Sequence, residues 1–245
     1  MSVGGVLVST LVVVPARGGS KSIPMKNLAD LGGKPLVVHA IEKALEAFDG
    51  RGPSMVMVST DTPEIRDVAL ASGAFCPSLR PPALSGDLVP SLPVVQHAVR
   101  EAESLEGGRF DTVVLLQATS PLWRVRDLHG CLDGLAQDGS LASAVLVTQV
   151  ETHPFRMKRL LSDGRVINLI DQGFEDMRPR QVLPPVYRRA GSVYASRRWV
   201  VMQQDTLLGD PCLGIAVPRE TAIDIDSPLD LEVVRRIYER EGPTL

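Results

Sequence analysis

Cysteine is scarce in these 245 residues, and its placement excludes as much as its number. Cys76, Cys131 and Cys212 are odd in count, widely spaced and without any C-x-x-C pair. They support neither a disulfide framework nor a zinc site, and they fit a reducing cytoplasm. An excess of charge is also lacking, since 26 Lys and Arg stand against 29 Asp and Glu. That balance leaves no electrostatic footprint for nucleic acid or an anionic membrane, so each cation must act locally on a phosphate or carboxylate. The apolar start, Val6 to Val14, is too short to cross a bilayer and has no Lys or Arg before it. With Pro15-Ala16-Arg17 directly after, it reads as a buried first strand rather than a secretory leader. Low-complexity stretches and internal repeats are missing, and the hydrophobic share of 44% is ordinary for a soluble globular chain.

What is present is alternation. Val6–Val14, Met55–Ser59, Thr112–Gln117, Ala142–Thr148 and Leu213–Val217 are continuous apolar runs, as expected of strands buried on both faces of a mainly parallel sheet. Leu36, Ala40, Ile41, Ala44, Leu45 and Phe48 recur at helical spacing, as do Leu92, Val95, Val99 and Ala102. Leu231, Val234 and Ile237-Tyr238 share one helical face within Pro228–Arg240. The expected fold is a layered α/β domain spanning residues 1–245. A stretch at about 151–187 breaks the rhythm with an expected hairpin, Phe155–Leu161 and Arg165–Ile170 around Ser162-Asp163-Gly164. It reads as an insertion that leaves the main sheet. In parallel sheets ligands bind beyond the carboxyl ends of the strands, which directs attention to the loops there.

The first such loop, Pro15 to Asn27, holds Gly18 and Gly19 among the cations Arg17, Lys21 and Lys26. Glycines allow close backbone approach, and loop N–H groups beside fixed cations suit a triphosphate. Gly19-Ser20-Lys21-Ser22 is no Walker A motif, because no glycine directly precedes the lysine; no G-x-G-x-x-G follows the strand either. The plainer alternative is a flexible turn with solvated charges. His39, His97, His129 and His153 form no visible constellation and read as structural or surface residues.

The loop, taken with blocks further along, resembles the N-acylneuraminate cytidylyltransferases, including relatives that activate legionaminic or pseudaminic acids. The resemblance rests on Ala16-Arg17-Gly18-Gly19-Ser20-Lys21 with Ile23-Pro24 and Lys26-Asn27, then Ser59-Thr60-Asp61 and Leu79-Arg80-Pro81. It continues through Leu115–Leu122, Pro179-Arg180-Gln181, Tyr187-Arg188 with Gly191–Tyr194, and Ile223-Asp224-Ile225-Asp226. It implies a three-layer, Rossmann-like nucleotidyltransferase fold, with the insertion serving dimerisation in a homodimer. The implied partners are CTP and an acidic nine-carbon sugar, whose hydroxyl attacks the α-phosphorus while pyrophosphate leaves. Such transfers need alignment and charge neutralisation more than a covalent nucleophile.

Residue by residue, the resemblance gives Ala16, Arg17, Gly18, Gly19, Ser20 and Lys21 to the phosphates, with Arg17 and Lys21 also catalytic. Lys26 and Asn27 fall where the family contacts the nucleotide, although Asn27 also suits a turn cap. Arg80, Asp87 and Ser91 fall on the side of the base, although Pro81–Pro90 also reads as a plain surface loop. Gln117, Arg180 and Arg188 are implied on the sugar, the arginines for its carboxylate.

Asp224 and Asp226 lie two apart, so an extended chain puts both carboxylates on one face and Ile223 and Ile225 on the other. Oxygen ligands arranged so suit Mg²⁺ or Mn²⁺, with Asp224 also catalytic. Helix capping by Asp226-Ser227-Pro228 competes for Asp226. Ala118 and Trp123 depart from the family spelling, as does Ala190, which stands where relatives carry Asn. The missing amide opens the identity of the sugar. Alternatives are another acidic sugar or a sugar phosphate as acceptor, a nucleotide-binding regulator without catalysis, or a purely structural module.

Overall fold

The computed structural model describes residues 9–52 and 54–242, so the first residues of the Val6–Val14 run lie outside the described chain. Strand β1 (Thr10–Pro15) leads through the loop to a short ribbon, β2 (Asp30–Leu31) and β3 (Lys34–Pro35), and helix α1 (Leu36–Phe48). Then follow β4 (Ser54–Ser59), α2 (Pro63–Ala71), α3 (Ser91–Glu106), β5 (Thr112–Leu116), α4 (Val125–Gln137) and β6 (Ser143–Gln149). The chain continues with β7 (Lys158–Leu160), β8 (Val166–Asn168), β9 (Tyr187–Arg197), α5 (Arg198–Met202), β10 (Cys212–Ala216) and α6 (Pro228–Glu241).

Six strands form one sheet in the order β10-β6-β9-β5-β1-β4. The pairs β1–β4, β1–β5 and β10–β6 are parallel, and β9 runs antiparallel between β5 and β6. Alternation along β1 explains the continuous apolar runs. Val12 and Val14 pack with α1, α2 and α4 on one face, while Leu11 and Val13 pack with α3 and α5 on the other. A strand covered on both faces has no polar side to show. Helix α6 joins a third cluster in which Leu231 and Val234 meet Leu31, Leu36, Leu122 and Ile225. That packing brings the carboxyl-terminal segment back beside the first loop.

Several elements escape the sequence pattern, α2, α4 and β9 among them. Helix α2 buries only Ile65 and Ala69. In α4 the apolar period is diluted by Gly130 and Gly134, which admit the β10 side chains Ile215 and Leu213; a Cβ on Gly134 would lie 2.2 Å from Leu213 Cδ2. Strand β9 opens on exposed Tyr187, Arg188 and Arg189 and turns apolar only from Ala190. Between β6 and β9, the pair β7–β8 forms a separate two-stranded sheet, so the expected hairpin is present with shorter strands.

Candidate active site

The loop after β1 is fastened at four points. Gly18 N–H donates to Asp61 Oδ1 at 2.9 Å, and Thr62 Oγ1 donates to the same oxygen. Gly18 has to be glycine, because a Cβ there would lie 2.2 Å from Thr62 Oγ1. Asn27 is buried and donates to the Arg17 carbonyl at 2.8 Å, while its own Oδ1 has no partner. A buried orphan acceptor beside a cationic loop is an open valence for a ligand donor. Lys26 Nζ donates to Ile225 O at 2.5 Å and stands 3.5 Å from Asp226 Oδ1. The first loop and the carboxyl-terminal acids therefore meet in one cleft.

Asp87 bridges the two remaining cations. Its Oδ1 accepts from Arg17 and its Oδ2 pairs with Lys21, each at 2.6 Å. The Lys21 hydrogen bond, with Arg17 adding to it, holds the Asp87 carboxyl below the usual carboxylate range. Two cations gathered on one carboxylate form a site that a phosphate oxygen can take over.

Asp224 Oδ1 accepts from the buried Ser120 hydroxyl at 3.2 Å. Ile225 N–H donates to Thr119 O at 2.8 Å, which fixes the segment against the loop after β5. Ile225 is fully buried and Asp226 exposed, so the expected alternation of faces holds. The capping expectation needs a correction. Ser227 caps α6, its hydroxyl accepting from Asp230 N–H in a capping box, with Pro228 in the first turn. The Asp226 carboxylate is thus left over for other work.

These groups line a cavity of about 270 Å³. Arg17, Ser20, Lys26, Asn27, Arg80, Asp87, Ser91, Gln117, Asp224 and Asp226 all face it. Leu84, Val89 and Val94 add an apolar wall that was not anticipated; the signal for Leu84 and Val89 was there in the apolar residues between Pro81 and Pro90. Arg80 is buried, bonded to Ser85 Oγ, and burial draws its pKa down, with Asp61 opposing. Ser91 opens α3, so the amino-terminal end of that helix borders the cavity.

Other expected residues lie elsewhere. Ala16 is buried in the core, Gly19 and Lys21 project outward, and Gly18 faces Thr62. Arg188 does not line the cavity; its guanidinium donates to Ala222 O and Arg189 O, each at 3.0 Å. Arg180 belongs to a single turn, Arg180–Val182, and its side chain lies outside the described atoms. Ala190 points into the core with no exposed surface, so the departure from Asn falls on a position that does not face the cavity. Three of the four histidines make structural contacts. His39 bonds Leu31 O and is buried, which lowers its pKa; His129 bonds Ala47 O, and His153 accepts from Phe155 N–H. A larger cavity, about 550 Å³, lies beside Thr148, Tyr187 and Val217 but holds none of the phosphate-loop cations or the acid pair.

One residue with a positioning role was missed. Lys43 of α1 is buried and donates to Pro121 O and Trp123 O at 2.9 and 2.8 Å. Burial pushes its pKa from 10.5 to about 8. Its ammonium pins the loop that carries Thr119 and Ser120, the residues that hold the acidic segment. The signal was a lysine in the buried row of an apolar helix face.

Cationic loop, apolar slot and acid pair around one cleft, in a mainly parallel sheet, define a nucleotidyltransferase. Comparison with known proteins narrows the class. The chain belongs to the cytidylyltransferase family, whose model matches residues 11–206. It is 34% identical over 233 residues to a pseudaminic acid cytidylyltransferase of Campylobacter jejuni, covering 94% of this chain and 96% of that one. It is 29% identical to the CMP-N,N'-diacetyllegionaminic acid synthase of Legionella pneumophila, with 94% and 96% covered. Among solved structures it shares its fold with CMP:2-keto-3-deoxy-manno-octonic acid synthetase complexed with CTP, at a TM-score of 0.68 and 23% identity, covering 96% of this chain and all of that one.

Proposed function

We propose that the protein transfers CMP from CTP to the anomeric hydroxyl of a nonulosonic acid, of sialic, legionaminic or pseudaminic type. A bond forms between that hydroxyl oxygen and the α-phosphorus, the bridge to the β-phosphate breaks, the hydroxyl proton is released and pyrophosphate leaves. The observation that carries this reading is the meeting of the first loop and the acid pair in one cleft, joined through Lys26. Relatives over nearly the whole chain act on such sugars by name, and the one at 34% identity makes pseudaminic acid the first acceptor to try.

The chain's own groups divide the work. Arg17 and Lys21 exchange Asp87 for the triphosphate and neutralise the charge that grows as pyrophosphate departs. Ser20, Lys26 and Asn27 fix the nucleotide from the loop side, and Arg80 and Ser91 with the apolar wall enclose the base and ribose. Gln117 stands at the end of β5 for the sugar. Among the described residues there is no cluster of three or more His, Cys, Asp or Glu. Two protein carboxylates, with nucleotide oxygens and water to complete the shell, fit Mg²⁺ or Mn²⁺. Asp224 and Asp226 would hold that ion, which supplies Lewis-acid charge to phosphate oxygens and to the attacking hydroxyl.

A homodimer belongs to the same reading. Leu160, Val166, Phe174, Met177 and Val182 are exposed at 72, 61, 55, 81 and 60% between β6 and β9, an apolar density that a surface segment rarely keeps uncovered. Sedimentation should give twice the chain mass, and Leu160→Glu with Met177→Glu should give the single mass. No helix among the described residues is long and apolar enough to cross a membrane. Free, buried Cys76 and Cys131 suit the cytoplasm.

The decisive assay is pyrophosphate release with CTP, Mg²⁺ and a panel of sialic, legionaminic and pseudaminic acids. Turnover with CTP and one acid, and none with GTP, UTP or ATP, is expected. Tight CTP binding without pyrophosphate for any acceptor would mark a nucleotide-binding regulator instead.

A further inference from the structure

Strand β9 carries two neighbouring arginines at its exposed start, and the structure treats them oppositely. Arg188 is spent on backbone carbonyls, Ala222 O and Arg189 O. The Arg189 guanidinium has no hydrogen-bond or ion-pair partner among the described residues, and the residue is exposed. The direction of Arg189 follows from strand register. On β6, Val145 pairs with Tyr194 and Val147 pairs with Arg189, across a bulge. Val145 and Val147 are two apart and share one sheet face, so their partners Tyr194 and Arg189 share it too. Tyr194 also lies opposite Leu115 of β5, and Gln117, two residues beyond, points to the same side and lines the cleft. Arg189, Tyr194 and Gln117 thus lie on the α3 side of the sheet, the side on which Gln117 lines the cavity.

The acid pair borders the same ground. Gly191, at φ +92°, brings the β9 backbone alongside the acids; a Cβ there would lie 3.5 Å from Ser120 Oγ and 3.9 Å from Asp224 Oδ2. Burial raises the Tyr194 pKa, and its hydroxyl feels both the Arg189 cation and the Asp224 anion. In a nonulosonic acid the carboxylate sits on the carbon that bears the reacting hydroxyl. Placing that hydroxyl against the α-phosphorus brings the sugar's carboxylate close to Asp224, where two anions need a cation between them.

We infer that Arg189, and not Arg188, is the cation that receives the acceptor's carboxylate. The inference rests on the reading that the acceptor is an acidic sugar. A guanidinium free of internal bonds can meet a carboxylate with both prongs, whereas Arg188 would first have to give up two carbonyls. Arg189 then orients the anomeric hydroxyl and selects acids over neutral sugars. Arg188 secures Ala222, two residues ahead of Asp224.

The test compares Arg189→Gln, Arg189→Lys and Arg188→Gln with the wild type in the full-length enzyme. Pyrophosphate release is followed at saturating CTP against the acidic sugar that gives turnover and against its methyl ester, with CTP affinity measured separately by calorimetry. Arg189→Gln should raise KM for the acid about 10- to 100-fold and leave CTP affinity within about twofold. Arg189→Lys should recover part of that loss, and Arg189→Gln should no longer prefer acid over ester. Arg188→Gln should change KM for the acid less than about threefold. Arg189→Gln with an unchanged KM and an intact acid preference overturns the assignment, as does an Arg188→Gln loss equal to that of Arg189→Gln. Should Arg189→Gln fail to bind CTP, the lysine variant decides by the same acid-to-ester ratio. A wild type inert toward every acidic sugar removes the proposed function and this anchor together, a result distinct from either.

Discussion

The two sides of the cleft are held in different ways. On the nucleotide side nearly every group has an internal partner: Gly18 with Asp61, Asn27 with Arg17 O, Lys26 with Ile225 O, Asp224 with Ser120, and Asp87 between Arg17 and Lys21. On the side proposed for the acceptor, Arg189 has no partner among the described residues and the segment before β9 leaves large apolar side chains exposed. A triphosphate is the same in every turnover, so its cradle gains from being rigid before the ligand arrives. On the proposed reading the acceptor side takes its order only when the sugar or a second subunit arrives.

The sharpest way to break the rigid side is Asp224→Asn, which keeps shape and removes charge. Turnover should fall about 1000-fold with the melting temperature and metal-free CTP affinity little changed. Near-normal kcat would take the ion away from Asp224. Next in size is Lys43→Met. Two carbonyls then lose their donor in a dry site, at a cost of about 1–3 kcal/mol at neutral pH, read by denaturant unfolding. The pH profile separates this from a simple packing loss. The Lys43 pKa is about 8 folded against 10.5 free, so between those values the unfolded chain binds more protons and wild-type stability should rise with pH. In Lys43→Met that rise should vanish; if it persists, another group titrates there.

The two loop glycines offer a contrast of smaller size. A Cβ on Gly18 collides with Thr62, while one on Gly19 meets nothing within 4 Å. Gly18→Ala should raise KM for CTP about tenfold, and Gly19→Ala should leave it within about twofold. Equal effects from both would mean that the loop is not positioned by its packing on Thr62.

The same contrast governs what could be read from sequence. Strands β1, β4, β5 and β6 were legible because both faces of each are largely apolar, and the phosphate loop because charge and glycine gather in a few consecutive positions; β10 was legible from its apolar run, although as an edge strand it leaves one face exposed rather than buried. Strand β9 was not, since its start is exposed and arginine-rich and its bulge breaks the period. Which sheet face each of the two neighbouring arginines takes could not be told from sequence, because it depends on register against β6 rather than on residue type. Lys43 and Ser120 went unassigned for a related reason: each acts through a contact 78 or more residues away in the chain, Lys43 on Pro121 O and Ser120 on Asp224. The excluded Asp226 cap shows the converse, where two adjacent residues both fit a local rule and only the geometry of Ser227 and Asp230 decides.

Asp87 gives the smallest expected effect and the finest test of the comparison. It is expected among the nucleotide contacts and lines the cavity, and its carboxylate also occupies Arg17 and Lys21, the two cations proposed for the triphosphate. A residue that contacts nucleotide weakens binding when removed, whereas one that holds the place of a phosphate competes with it. Asp87→Ala should therefore tighten CTP binding about three- to fivefold at low salt, with the gain shrinking as added salt screens the exposed pair. Weaker CTP binding in Asp87→Ala would instead put this carboxylate on the ribose or the base.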